Sequence, residues 1–166
     1  MFPPVSDLLS LCTSNATWHS GPCAEVRVGE HVTRYVRRGS GPSVVLVGAD
    51  ARANPVWGPL VERLELGHRL VVPQLPPANV DITAWLRGFI EGLGLSDVVL
   101  IAGNGTSSAA LELASTDDFL VRKLVLMANA GDSVSAASSE RTLFVKPDDS
   151  AADQLRQIEE FIEGGP

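Results

Sequence analysis

Cysteine, histidine and basic residues are scarce in this 166-residue chain, and each scarcity closes off a class of chemistry. The only two cysteines, Cys12 and Cys23, form no CxxC pair, and the three histidines (His19, His31, His68) are too scattered to complete a metal set. No metal and no cofactor is therefore expected, and the two thiols read as free thiols of a reducing compartment. Lys and Arg number 13 against 20 Asp and Glu, a net charge of -7. A nucleic-acid groove needs clustered cations, so that class is excluded. The one basic cluster, Arg34, Arg37 and Arg38, is spread along a predicted strand and reads as a solvated edge or a partner contact. No apolar run is long enough to cross a bilayer. Met1-Phe2-Pro3-Pro4 has neither a basic leader nor a long apolar core, so a cytoplasmic chain is expected.

What is present is an ordinary globular composition, 45% hydrophobic, at a length that suits one domain with a real core. Residues 1–23 read as an N-terminal extension. Within it Val5, Leu8, Leu9 and Cys12 fall at helical spacing and predict a short amphipathic helix docked on the domain or on a partner. Residues 24–166 read as a single domain. Ala24 to Val28 and Val32 to Arg38 predict a hairpin about Gly29-Glu30. Ser43 to Val47, His68 to Pro73, Leu120 to Ala128 and Thr142 to Val145 predict further strands, the first of them a continuous apolar run, as a strand covered on both faces is, and the next two largely apolar. Helices alternate with them. Val56, Trp57, Leu60, Val61 and Leu64 mark one helix face, and Ala152, Leu155, Ile158 and Ile162 mark another, stopped by Gly164-Gly165-Pro166. The clearest helix runs from 81 to 93, with Asp81 as N-cap and Trp85 and Phe89 as core. The expected fold is α/β, a doubly wound, mostly parallel sheet with helices on both faces and an antiparallel hairpin in front.

The stretch that organises the chain is Val98 to Ala114, VVLIAGNGTSSAALELA, a strand, a glycine turn and a helix. Many α/β enzymes hold a nucleophile in that frame, yet here the turn is Gly103-Asn104-Gly105, and an amide is not nucleophilic at neutral pH.

From about Ala24 onward the chain resembles the α/β-hydrolase superfamily. Residues 34–46 are similar to that family's hairpin and next strand, Val56-Trp57-Gly58-Pro59-Leu60-Val61 to its first helix, and Leu111-Glu112-Leu113-Ala114 with Leu124-Val125-Leu126-Met127 to the elements around its nucleophile. The resemblance implies a G-x-S-x-G elbow, which aligns with Ala102-Gly103-Asn104-Gly105-Thr106, so Asn104 stands at the nucleophile position. The oxyanion loop, His-Gly in the family, aligns with Gly48-Ala49, and Asp-x-Pro-Gly aligns with Gln74-Leu75-Pro76-Pro77. The acid aligns with Asp149, the family's catalytic His belongs beyond Pro166, and the lid is replaced by a short Ser/Ala linker at 132–140. The resemblance thus implies a shortened, lidless hydrolase-like domain.

Three functions follow as expectations. The leading one is a non-catalytic accessory, scaffold or interaction subunit of a larger complex, a biosynthetic assembly being one such kind. Its partner, or a second copy, would dock on an exposed C-terminal sheet edge and on the N-terminal helix. The second is binding of a small ligand, anion or nucleotide at Gly103, Asn104, Gly105 and Thr106, where backbone N–H groups open a helix. The third is atypical hydrolysis with Ser107 as the fallback nucleophile.

Overall fold

A computed structural model describes residues 23–48, 56–77, 79–103, 105–127, 141–146 and 149–164. The expected helix at 5–12, Ala49, Asn104 and the 132–140 linker lie outside these residues. One seven-stranded sheet is built from β1 (Cys23–Val28), β2 (His31–Arg38), β3 (Ser43–Val47), β4 (Arg69–Pro73), β5 (Val98–Ala102), β6 (Val121–Met127) and β7 (Thr142–Val145). Its order is β1-β2-β4-β3-β5-β6-β7. Strands β4, β3, β5, β6 and β7 run parallel, and β2 is antiparallel to both β1 and β4. The helices are α1 (Trp57–Leu64), α2 (Ile82–Gly92), α3 (Ser107–Thr116) and α4 (Ala151–Glu163). This is the doubly wound sheet with a leading hairpin that the sequence predicts. Among the described residues no helix is long and apolar enough to cross a membrane.

The continuous apolar runs are explained by the two faces. Along β3 and β5, Val44, Leu46, Val99 and Ile101 point to one side, where Trp57, Leu60, Val61 and Leu64 of α1 and Ile158 and Ile162 of α4 cover them. Val45, Val47, Leu100 and Ala102 point to the other, under Trp85, Leu86, Phe89 and Ile90 of α2 and Ala110, Leu113 and Ala114 of α3. Full burial of each such aliphatic or aromatic side chain contributes roughly 1.5–3 kcal/mol, which is why no polar position interrupts these strands.

Local chemistry sets the ends. Asp81 accepts from Thr83 N–H at 3.0 Å and Ala84 N–H at 3.2 Å, so it caps α2 as predicted. At the other end Gly94 takes φ +69°, while Leu95 N–H reaches Ile90 O and Gly94 N–H reaches Glu91 O, a Schellman closure. In the β1–β2 hairpin Gly29 has φ +60°, the value a type II′ turn needs at its first central residue. Trp85 and Phe89 are core: the rings lie 5.7 Å apart, and Trp85 Nε1 donates to buried Thr33 Oγ1 at 2.9 Å.

Arg38 departs from the expected solvated edge, and one lysine is buried in the sheet. Arg38 is not solvated: it pairs with Glu65 at 2.8 Å, with side chains only 10% and 14% exposed. The pairing partner lies in the turn after α1, too far along the chain for sequence to reveal it. Lys123, inside apolar β6, is 3% exposed and donates from Nζ to Phe161 O at 2.6 Å and Gly164 O at 2.9 Å. It thereby takes up last-turn carbonyls of α4, where the helix dipole favours a cation, and fastens that helix to the sheet. Burial, reinforced by neighbouring Arg122, lowers its pKa from the usual 10.5.

Candidate functional site

In a doubly wound sheet, ligands bind beyond the carboxyl ends of the strands, where the winding reverses. Here that point lies between β3, whose next parallel strand is β4, and β5, whose next is β6. Gly48 follows β3 and the Gly103–Thr106 turn follows β5, so the residues that sequence singles out do converge on it.

The two loops meet backbone to backbone. Gly48 has φ +70°, and a Cβ there would stand 2.0 Å from Gly103 O and 2.9 Å from Thr106 Oγ1. A Cβ on Gly103 would stand 2.8 Å from Trp57 Cζ2. Gly103 N–H donates to Val47 O at 3.0 Å, tying the ends of β5 and β3 together. Thr106 N–H donates to Gly103 O at 3.1 Å, and Gly105 has φ +82°, a left-handed value that glycine adopts readily. The turn's need for a left-handed residue is thus met by Gly105, next to Asn104.

The hydroxyls beside the turn are placed very differently. Thr106 Oγ1 is buried and donates within the turn: Gly103 O lies at 2.5 Å and Val47 O at 3.4 Å. Ser107, the first residue of α3, is 3% exposed, and its Oγ has no hydrogen-bond partner among the described residues. It lies on the helix stripe of Ala110, Leu113 and Ala114, which is packed against the sheet. A serine nucleophile needs a base within hydrogen-bond reach, and Ser107 has none among the described residues.

The remaining candidate residues are placed as follows. Asp149 follows β7, separated from β5 by β6, about 10 Å away at the usual strand spacing. Its carboxylate accepts from Gln157 Nε2 at 2.9 Å and its carbonyl from Gln154 Nε2 at 2.7 Å, so it is engaged in starting α4. His68 precedes β4 at the opposite end of the strands, with Nδ1 at 3.2 Å from Leu64 O. His31 begins β2, and both β4 and β3 stand between β2 and β5. Gln74 continues β4 beyond Pro73, its N–H donating to Arg34 O at 2.9 Å. Among the described residues no three of His, Cys, Asp and Glu converge as metal ligands.

Two surface hollows lie apart from this turn. One, of about 430 Å³, is lined by His31, Thr33 and the Gln74–Pro77 segment; the other, of about 360 Å³, lies between α3 and the starts of β6 and β7, beside Leu111, Leu124 and Arg141.

No family model matches the sequence, and no curated protein matches it. Solved structures do. A bacterial membrane phospholipase A described as a virulence factor superposes with a TM-score of 0.57 at 24% identity, over 82% of this chain and 49% of its own. An epoxide hydrolase from Vigna radiata gives 0.54 at 19%, over 64% and 37%. A loop variant of a haloalkane dehalogenase from Bradyrhizobium elkanii gives 0.52 at 20%, over 63% and 39%. The chain spans half the length of these proteins or less. Over the part it shares with them, its fold is that of the α/β-hydrolases.

Proposed function

We propose that this chain is a non-catalytic α/β-hydrolase-like domain that works as an accessory, scaffold or interaction subunit of a larger complex. The observation that carries the reading is the chemistry at the switch point. The turn bears an amide, Asn104, its one buried hydroxyl, on Thr106, is engaged with Gly103 O, and Ser107 Oγ touches no base. Acyl transfer needs an activated nucleophile and an orienting base, and neither stands there among the described residues.

A domain that retains a hydrolase frame without its reagents acts through its surfaces. The reading is tested by pull-down of the tagged chain from its host, with light scattering on the purified complex. A stable stoichiometric assembly is the expected result. A chain that stays monomeric and brings down no partner removes the proposal. In parallel, a fluorophosphonate probe is expected to leave the protein unlabelled, and labelling abolished by Ser107→Ala would reinstate hydrolysis.

A further inference from the structure

The sheet has two ends. At one end β7 pairs with β6, and its outer positions Thr142 and Phe144 have further interactions. At the other end β1 pairs with β2 alone among the described residues. The two-residue turn makes Val28 and His31 the closing pair of the hairpin. Hydrogen bonding alternates along an antiparallel ladder, so Val28, Val26 and Ala24 turn their backbone groups toward β2, while Arg27 and Glu25 turn theirs outward.

The side chains of those two outward residues are of opposite charge, two positions apart, and exposed. Glu25 lies opposite Arg34 on β2 and pairs with it at 3.1 Å, with 56% of its side chain exposed. Arg27 meets no carboxylate among the described residues; its Nε reaches only Gly29 O, at 3.4 Å. A carboxylate has two oxygens and can accept from a second cation.

We infer that β1 is a homotypic edge, pairing antiparallel with β1 of a second copy about a two-fold axis at Val26. In that register Glu25 of each copy stands opposite Arg27 of the other, and both outward-facing ladder positions are used. Ala24 stands opposite Val28 and Val26 opposite its own counterpart, which continues the apolar layer that α2 covers. Registers centred on Glu25 or Arg27 instead set like charges against each other, which is destabilising directly across a ladder. The charge pattern therefore selects one pairing, and it joins two seven-stranded sheets into one. This step goes beyond the interaction reading above and names a second copy of this chain as one occupant.

The test uses sedimentation velocity on the full chain, on Arg27→Glu, on Glu25→Arg and on a 1:1 mixture of the two variants, with circular dichroism to verify folding. The wild type is expected to sediment as a dimer. Each single reversal places like charges across both ladder positions and weakens dimerisation about tenfold or more. The mixture restores it, because one chain then presents two cations and the other two anions. A monomeric wild type overturns the pairing, as does a variant as dimeric as the wild type, or a mixture that stays apart. A monomer that still brings down another protein overturns this pairing while leaving the subunit reading intact.

Discussion

Thr106 and Ser107 are neighbouring hydroxyls at the start of α3, both almost fully buried, and removing each should shift stability in opposite directions. Among the described residues Ser107 Oγ is an unpaired buried polar atom. Such a group costs about 1–3 kcal/mol relative to being bonded, and alanine is the better helix former. Against this stands the loss of one atom's packing, worth a few tenths of a kcal/mol. Ser107→Ala should therefore stabilise the fold by about 1 kcal/mol, or about 3 °C in Tm for a domain of this size. Thr106 Oγ1 is bonded to Gly103 O, and Thr106→Val keeps the shape but loses that bond. Gly103 O retains the Thr106 N–H, so no acceptor is orphaned, and the expected cost is about 1 kcal/mol. Urea titrations of both variants read the difference, about 2 kcal/mol between adjacent positions. A destabilised Ser107→Ala would refute the reasoning, because it would mean that the Ser107 hydroxyl is bonded in solution and the elbow differs from the one described.

Other perturbations probe what holds the frame. Gly48→Ala forces a side chain into φ +70° and to within 2.0 Å of Gly103 O, so a loss of at least about 3 kcal/mol is expected on chemical denaturation. Arg38→Ala leaves Glu65 with little solvent and should cost roughly 3 kcal/mol, much of it recovered when Glu65→Leu is added, which a double-mutant cycle measures. Lys123 gives a pH signature: its folded pKa is below 10.5, so the unfolded chain binds more protons between the lowered value and 10.5. Wild-type stability should then rise with pH across that window relative to Lys123→Met, and denaturation midpoints that run parallel for the two proteins would rule this out.

The parts of this fold legible in the sequence are those set by short-range pattern. Strands β3 and β5 are read from unbroken aliphatic runs because helices cover both faces, and α2 is read from its apolar period and from Asp81, whose cap bonds lie within three residues. What stays hidden depends on residues distant in the chain. Arg38 looks solvated until Glu65 is brought to it. Lys123 is a cation within a strand, and it shares the parity of Val125 and Met127, which face α1 and α4. That parity was the available signal. At the candidate site, the identity of Asn104 is a sequence fact, whereas the contact between Gly48 and Gly103 joins loops 55 positions apart. Asp149 is marked by the family resemblance, but its engagement by Gln157 depends on how α4 leaves β7.

If the frame is retained for packing, restoring one reagent should not restore chemistry. Asn104→Ser returns a hydroxyl to the nucleophile position of the elbow. That hydroxyl would still need a base, and among the described imidazoles His31 is on a distant strand and His68 is at the other end of the strands. An unactivated serine hydroxyl is a weak nucleophile at neutral pH, so the variant should show neither fluorophosphonate labelling nor ester turnover above the wild type. The turn itself should survive, since its hydrogen bonds run from Gly103 to Val47 and from Thr106 to Gly103, and its left-handed residue is Gly105. Stability close to wild type with no labelling separates a frame without reagents from a frame that has collapsed. Stoichiometric labelling of the variant would show instead that a base stands near the elbow in solution, and the non-catalytic reading would fall with that result.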